Sequence, residues 1–154
     1  MLSETEKQQI EAAVAMYETR SAAAVEGMRI LQGSRGWVSD EALSDLASLL
    51  DVSTSMLESL ATFYSMIFRR VVGRHVIMVC SSVCCWMQGG EAVVRYLSAK
   101  LGIEPGDTTP DGRFTLLPVV CIGACEQAPA MLIDWDLHGD LSPAKIDSTL
   151  TLYV

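Results

Sequence analysis

The sequence predicts an α+β protein in which a small helical bundle precedes a sheet domain of the order β-α-β-β-β-α. Three observations support this. Four amphipathic stripes with helical spacing fill the first 70 residues, and short apolar runs rich in branched residues begin only after Gly73. All five cysteines lie in the second half of the chain. We therefore expect a helical bundle over residues 1–72 and a second domain over residues 73–154.

Length, composition and charge exclude several classes of protein. The chain has 154 residues, half of them hydrophobic, which is enough for a buried core. Its formal net charge is −8. Because nucleic acids and anionic membrane surfaces are bound by basic protein surfaces, this charge argues against both as partners. No apolar run approaches the roughly 20 residues of a membrane span, and the first residues lack the features of a secretory signal. We expect a cytoplasmic protein with no nucleic-acid partner and no direct membrane insertion.

The four predicted helices of the bundle carry start signals and apolar stripes. Ser3 and Glu6 form a capping box, and Ser39 and either Ser53 or Ser55 can cap the third and fourth helices. The stripes run through Ile10, Val14 and Tyr17, through Ala24, Met28 and Leu31, through Leu43, Leu46, Ala47 and Leu50, and through Leu57, Leu60, Ala61, Tyr64 and Phe68. Because so short a bundle has little core of its own, we expect it to be a docking surface for a partner.

The second half of the chain has the pattern of strands separated by a helix and turns. Three strands are predicted, at His75–Val79, Phe114–Val120 and Met131–Asp136. An amphipathic helix connects the first two strands, which should therefore be parallel. We expect a hairpin turn at residues 138–140 that leads into a fourth strand, and a last helix that begins at Pro143.

The cysteines cluster on two short segments. They are Cys80, Cys84, Cys85, Cys121 and Cys125. An odd number of cysteines in a chain without a secretory signal argues against a disulfide scaffold. Cys80 follows the first predicted strand and Cys121 follows the second. Because the carboxyl ends of parallel strands meet at the same edge of a sheet, the two cysteine loops should converge there.

Four converging thiols suit three kinds of chemistry. Zinc sites use tight C-x2–4-C turns, and the spacings here, C-x4-C and C-x3-C, lie at or near the wide end of that range. A [2Fe–2S] cluster is wider, and the loop of plant-type ferredoxins contains a C-x4-C step. Disulfide chemistry is less favoured because the chain has no C-x-x-C pair. A structural zinc module and an iron–sulfur cluster both remain open at this point.

Cys84 and Cys85 are adjacent, so only one of them should be a ligand. Successive side chains of an extended segment point in opposite directions. The C-x4-C spacing favours Cys85, which leaves Cys84 as a buried free thiol, with an exchange of their roles as the alternative. We expect Gly89, Gly90 and Gly123 to let backbone amides approach the sulfur atoms closely.

Several segments together resemble a known family. These are Cys80-x4-Cys85, the sequence DGRFTL at residues 111–116, the sequence CIGACEQAP at residues 121–129, and ATFY at residues 61–64. They closely resemble the small [2Fe–2S] subunits of NADH–quinone oxidoreductases, the respiratory complex I, known in the bacterial enzyme as the E subunit. The resemblance covers nearly the whole chain, and the cysteine pattern with its flanking residues is highly specific. The additional Cys84 departs from that pattern.

The resemblance implies a fold, a cofactor and a partner. The fold is a helical bundle followed by a thioredoxin-like [2Fe–2S] ferredoxin domain, with one cluster on Cys80, Cys85, Cys121 and Cys125. The chain would be an electron carrier without its own substrate site, within an NADH:quinone oxidoreductase. The implied partner is the flavoprotein subunit that binds NADH, FMN and a [4Fe–4S] cluster, and one electron passes between its flavin and the small cluster. The implied location is the cytoplasmic peripheral arm of a membrane-bound complex.

The sequence alone does not decide which enzyme complex the chain belongs to. Related subunits serve NAD-linked formate dehydrogenases and hydrogenases, and the family pattern does not separate these from complex I. From other classes, a structural zinc adaptor would be colourless, and a freely diffusing two-iron ferredoxin would not need the helical half. If the cluster is present, we expect a low-potential one-electron centre, because plant-type clusters lie near roughly −400 mV.

Overall fold

The chain folds into two compact units, Met1–Val71 and a second unit that begins at Val72. The fold is described over residues 1–153 by a computed structural model. The first unit is helical, and the second contains a four-stranded sheet with helices. This arrangement confirms the predicted fold class.

The first unit contains four α-helices and one short 3-10 helix. They are α1 (Glu4–Val14), the 3-10 helix Arg20–Ala23, α2 (Ala24–Arg35), α3 (Asp40–Leu50) and α4 (Thr54–Phe63). The Ser39 and Ser53 hydroxyls accept hydrogen bonds from the amides three residues further on, which confirms both as N-caps. Most residues of the predicted apolar stripes form one core, in which Ile10, Met28, Leu31, Leu46, Leu50 and Leu57 are fully buried. Tyr17 does not join this core, because α1 ends at Val14 and Tyr17 is 45% exposed beyond it.

The fourth helix ends earlier than its apolar stripe predicts. Helix α4 stops at Phe63, so Tyr64 and Phe68 lie beyond it. The Gln32 side chain of α2 explains this, because its amide nitrogen donates to the Met66 carbonyl and its oxygen accepts from the Phe68 N–H. These side-chain hydrogen bonds satisfy backbone groups that a longer helix would have paired internally.

The second unit is a mixed sheet with the strand order β2-β1-β3-β4. Its elements are β1 (His75–Cys80), α5 (Val83–Met87), α6 (Gly90–Leu101), β2 (Phe114–Val119), the 3-10 helix Cys125–Gln127, β3 (Met131–Ile133), β4 (Asp136–His138) and α7 (Pro143–Leu150). Strands β1 and β2 are parallel, as predicted, whereas β3 and β4 are antiparallel to their neighbours. Within residues 1–153, no helix combines the length and apolar character that crossing a bilayer requires.

The core of the second unit lies between the sheet and its helices. Ile77 and Val79 of β1 pack with Leu97 of α6 and Ile146 of α7, and all four are at most 1% exposed. Strand β1 is central and almost entirely buried, which matches its continuous apolar sequence. The strand that ends at Cys80 is therefore held rigidly on both edges.

The prediction for the last hairpin was wrong. Strand β3 ends at Ile133, the turn lies at Asp134 and Trp135, and β4 occupies part of the predicted turn. Asp134 has a left-handed backbone with φ of 56°, which an aspartate tolerates at a turn. Its carboxylate accepts a hydrogen bond from the Val76 N–H and pairs with the His75 ring. These contacts place the turn at Asp134 and Trp135, before the position that Gly139 suggests.

A buried carboxylate joins the beginning of α1 to the end of α2. Glu6 completes the predicted capping box by accepting from the Ser3 N–H at 2.8 Å. The Arg35 guanidinium donates to both Glu6 oxygens at 2.7 and 2.8 Å, and the Ser34 hydroxyl donates at 2.7 Å. The paired Arg35 outweighs the effect of burial and lowers the pKa of Glu6 far below its usual value.

We expect Glu6→Gln to lower the free energy of unfolding of the helical unit by about 2–4 kcal/mol, because it leaves Arg35 without its carboxylate. A carboxylate with a depressed pKa stabilises the fold above its unfolded pKa, and this stabilisation is lost as the pH falls below about 5. Urea unfolding at several pH values measures both effects. Glu4→Gln, which removes an exposed carboxylate of the same helix, should change stability little. Equal losses in the two variants would contradict this account.

Candidate metal centre

Two loops carry the five cysteines to one edge of the sheet. Cys80 is the last residue of β1, and Cys84 and Cys85 lie in the short helix α5. Cys121 follows β2 after one intervening residue, and Cys125 begins the 3-10 helix. Because Cys80 pairs in register with Val119 at the end of parallel β2, both loops leave the sheet side by side.

Cys80 and Cys85 form a buried inner pair. Each is only 2% exposed, and they pack with Ala124 and Ala130 in a small apolar cluster. The neighbouring thiols of Cys85 and Cys121 both act on the pKa of Cys80. Cys80 therefore connects the first cysteine loop to the second.

Cys121 and Cys125 form an exposed outer pair. Their sulfur atoms are 3.9 Å apart, and both side chains are accessible to solvent. Because Cys121 acts on the pKa of Cys80, the outer pair lies beside the inner pair. The predicted ligands Cys80, Cys85, Cys121 and Cys125 are thus brought into one continuous group of thiols.

The four predicted ligands lie in two pairs, one buried and one exposed. Among residues 1–153, no three His, Cys, Asp or Glu side chains are placed around a single metal position. A structural zinc ion takes four ligands around one point, whereas the core of a [2Fe–2S] cluster spreads four thiolates over two irons.

One backbone amide donates to a cysteine sulfur: the Gly123 N–H donates to Cys121 at 3.4 Å. The amides of Ser82 and Ile122 act on Cys80, and that of Ala130 acts on Cys85, in the direction that lowers the thiol pKa. Such donors stabilise thiolates and compensate part of the negative charge of a sulfur-ligated metal.

The pKa values of the thiols reflect these surroundings. Burial raises the pKa of Cys80, but the two amides and the neighbouring thiols outweigh it, so the pKa of Cys80 is lowered. Burial and the neighbouring Cys80 raise the pKa of Cys85. Cys121 and then Cys84 raise the pKa of Cys125 to about 11. Crowded thiols cannot all ionise together, and a bound metal relieves this because it replaces their protons.

Cys84 is exposed, and the prediction that it is buried was wrong. The prediction assumed an extended segment, but Cys84 and Cys85 lie in helix α5, where successive side chains are about 100° apart. Cys85 therefore points into the apolar cluster, whereas Cys84 is exposed to solvent. Ser82, at the N-cap position of α5, was the only local signal of this helix.

Two glycines allow the close approach of the loops. A Cβ atom on Gly90 would lie 2.9 Å from the Cys85 carbonyl oxygen and 3.4 Å from that of Cys80. Gly123 has a φ of +81°, which favours glycine and directs its amide to Cys121. The expectation that glycine lets an amide approach a sulfur atom is confirmed for Gly123. Gly90 instead lies close to two backbone carbonyls, and a Cβ on Gly89 would meet no atom within 4 Å.

Exposed apolar side chains lie next to the cysteines in both loops. Val83, Trp86 and Met87 of α5 are 65, 56 and 73% exposed, and Val120 beside Cys121 is 68% exposed. The Trp86 indole N–H donates to Glu91 at 2.9 Å, which fixes the ring at the surface. We refer to these four apolar side chains as the apolar rim. Large apolar groups grouped around a functional site indicate a contact surface.

Comparison with known proteins identifies the family. Residues 10–153 match the thioredoxin-like [2Fe–2S] ferredoxins. The chain belongs to this family. Its cofactor is therefore a [2Fe–2S] cluster, and the resemblance drawn from the cysteine motifs is confirmed. The thioredoxin-like domain predicted to follow the helical bundle is confirmed as well.

Similar curated proteins cover nearly the full chain. The E subunit of the NADH-quinone oxidoreductase of Pseudomonas aeruginosa is 49% identical over 154 residues, which are 100% of this chain and 93% of that protein. The protein of the same name from Escherichia coli K12 is 47% identical over 152 residues, covering 99% of this chain and 92% of that protein.

Solved structures of a different enzyme share the fold. An NAD+-reducing [NiFe]-hydrogenase in the H2-reduced state matches 80% of this chain with a TM-score of 0.67 and 27% identity. The matched part is 21% of the hydrogenase chain. This chain thus spans only about a fifth of that polypeptide.

We expect Gly90→Ala to destabilise the second unit by about 1–3 kcal/mol, because the new methyl group meets rigid backbone of both inner cysteines. Thermal unfolding and the visible absorbance of the bound cluster measure the loss. Gly33→Ala is the matched control, since Gly33 lies in α2 with no atom within 4 Å of an added Cβ. There, alanine should stabilise the helix by about 0.5–1 kcal/mol. A neutral Gly90→Ala would show that the approach of the backbone is not tight.

Proposed function

We propose that this chain is the electron-transfer subunit of an NADH–quinone oxidoreductase. Its cluster exchanges one electron with the FMN of an NADH-binding flavoprotein subunit. The observation that carries the proposal is the 49% identity to the E subunit of such an enzyme over nearly the full length of both chains. On this proposal the chain belongs to the peripheral arm on the cytoplasmic side of a membrane-bound complex, and NADH and FMN bind to the partner.

The ligand set of the proposal consists of two pairs. Cys80 and Cys85 would supply two ligands to the cluster, and Cys121 and Cys125 would supply the other two. The burial of the first pair in one apolar cluster and the 3.9 Å separation of the sulfur atoms in the second support this division. Cys84 is exposed and lies outside the proposed set.

The bound cluster supplies a one-electron redox centre, and the chain sets its electrostatic environment. The inner pair lies in an apolar cluster with Ala124 and Ala130, where additional negative charge is costly. The amides of Ser82, Ile122 and Ala130 offset part of that cost. The groups that act on the buried sulfur atoms are amides and other thiols rather than cationic side chains. We therefore expect the potential to remain low, as in plant-type ferredoxins.

The outer pair faces the partner in this proposal. Its exposure gives an electron a short path between the cluster and a docked flavoprotein. The apolar rim supports docking there, since interface cores are rich in aromatic residues and methionine and poor in charge. Exposed aromatic residues also occur in the helical unit, where Phe63 is 79% exposed beside Tyr64. The docking role predicted for the helical unit remains a prediction.

A second candidate is the equivalent subunit of an NAD-linked hydrogenase, or of a formate dehydrogenase as the sequence pattern allows. The structural match to an NAD+-reducing hydrogenase favours the former, and there the matched region is part of a longer chain. Its 27% identity is well below the 49% to the E subunit of NADH-quinone oxidoreductase. We therefore place it second.

The ligand set can be tested by alanine substitution, which avoids the ability of serine oxygen to bind iron. We expect Cys80→Ala and Cys121→Ala to lose most of the visible absorbance and iron of the reconstituted protein. Cys84→Ala should retain both, because Cys84 lies outside the proposed set. Loss of the cluster in Cys84→Ala, with retention in Cys121→Ala, would show that the assignment is wrong.

The function can be tested by mixing the reconstituted chain with the flavoprotein subunit of an NADH–quinone oxidoreductase and adding NADH. We expect bleaching of the cluster spectrum only when the flavoprotein is present. Met87→Asp should weaken this coupling roughly tenfold, because burying an unpaired charge in an apolar contact costs about 1–3 kcal/mol.

Two controls locate the docking surface. Leu152→Asp places the same charge on a residue that is 74% exposed outside the apolar rim, and it should have no effect. Phe63→Asp reports separately on the helical unit. NADH could instead bleach the cluster with the flavoprotein of an NAD+-reducing hydrogenase and not with that of the oxidoreductase. In that case the hydrogenase subunit would replace the oxidoreductase subunit as the preferred function.

A further inference from the structure

A cavity of about 350 Å³ lies beside the first cysteine loop. Its walls include Cys80 and Pro118 near the ends of β1 and β2, Trp86 of α5, and Gly90 and Glu91 of α6. Cys80, a proposed cluster ligand, is only 2% exposed. The cavity therefore borders the buried half of the cysteine site.

One wall of the cavity is the Trp86 indole, which is held by Glu91. The indole N–H donates to Glu91 Oε1 at 2.9 Å. The other carboxylate oxygen, Oε2, lies 4.0 Å from Arg95 Nη1, one turn further along α6. Trp86 is 56% exposed, so part of its ring faces solvent while another part lines the cavity. The hydrogen bond thus ties a half-exposed ring of α5 to helix α6.

The wall opposite the indole is rigid backbone. Gly90 lies against the carbonyl oxygens of Cys85 and Cys80, where an added Cβ would be 2.9 and 3.4 Å away. A side chain as exposed as Trp86, in contrast, gains rotamer entropy when its partner is removed. Trp86 is therefore the wall whose position depends on a single side-chain contact.

We propose that Glu91 is a positioning residue that holds Trp86 against the cavity and so limits the access of water to the cluster at Cys80. The inference rests on the proposed ligand Cys80. Reduction adds one electron, and hence one negative charge, to the cluster, and water stabilises that charge better than an indole ring does. Solvent access is one of the factors that set the potential of an iron–sulfur cluster. A fixed Trp86 thus keeps the potential low.

Two substitutions separate the position of the ring from the charge of the carboxylate. Glu91→Ala removes both the charge and the acceptor of the indole hydrogen bond. Glu91→Gln removes the charge but keeps an oxygen that can accept from the indole N–H. If Glu91 acts through Trp86, the glutamine variant should behave like the wild type. If it acts by its charge alone, both variants should change equally.

The full chain, reconstituted anaerobically with iron and sulfide, is titrated potentiometrically with dithionite. We expect Glu91→Ala to shift the reduction equilibrium roughly threefold to tenfold toward the reduced cluster, and a tenfold shift equals about 59 mV for one electron. Release of iron to a chelator should become about tenfold faster, because the buried ligand is less shielded. Glu91→Gln should leave both measurements close to the wild type.

The position of the ring can be measured without reference to the potential. Trp37→Phe and Trp135→Phe leave Trp86 as the only tryptophan of the chain. In this background we expect Glu91→Ala to lower the fluorescence anisotropy of Trp86 and to increase its quenching by acrylamide. Glu91→Gln should restore the parent values.

A double variant and a matched control complete the test. Trp86→Phe removes the indole N–H, so Glu91→Ala should have no further effect on the potential in that background. Glu104→Ala removes another exposed carboxylate of the second unit, one that does not line this cavity, and should leave the potential unchanged.

Three results would overturn the inference. They are a Glu91→Ala potential equal to that of the wild type, an equal shift in Glu91→Gln, and a shift by Glu91→Ala that persists in Trp86→Phe. None of them affects the proposed function, which fails separately if NADH and the flavoprotein do not reduce the loaded wild-type chain.

Discussion

The parallel pairing of two strands is the constraint on which the metal centre depends. Strands β1 and β2 end in register at Cys80 and Val119, so the loops that follow start from the same edge of a rigid sheet. Each loop contributes one pair of thiols, and Cys80 and Cys121 lie where the two loops leave the sheet. An antiparallel arrangement would have sent the loops to opposite edges. The core beneath β1 therefore preorganises the ligands, and cluster binding in turn ties the two loops together.

Burial divides the cysteines into an inner and an outer pair. The inner pair is nearly inaccessible and lies in apolar surroundings, where the amides of Ser82, Ile122 and Ala130 favour a charged sulfur atom. The outer pair is exposed, receives an amide hydrogen bond from Gly123, and lies in loops that carry the exposed side chains of the apolar rim. On the proposed function, this asymmetry would shield one side of a bound cluster and leave the other side open to a partner.

The sequence predicted the features that depend on local signals and on topology. Serine caps, apolar stripes and the β-α-β rule were enough to place the helices, the parallel strands and the convergence of the cysteine loops. Features set by tertiary contacts were missed. Gln32 ends α4 early, and Asp134 moves the last hairpin, because both provide hydrogen bonds from residues distant in sequence. The five-residue helix α5 was too short to show a periodic pattern, so the exposure of Cys84 followed only from the structure.

The most direct test of the central claim is electron paramagnetic resonance of the dithionite-reduced, reconstituted chain, together with iron and sulfide analysis. Four thiolates from two loops around one cluster predict two irons and two labile sulfides per chain. They also predict a rhombic spin-one-half signal with an average g value below that of the free electron, integrating to one spin per chain. A colourless, EPR-silent protein that contains zinc in place of iron would contradict the account.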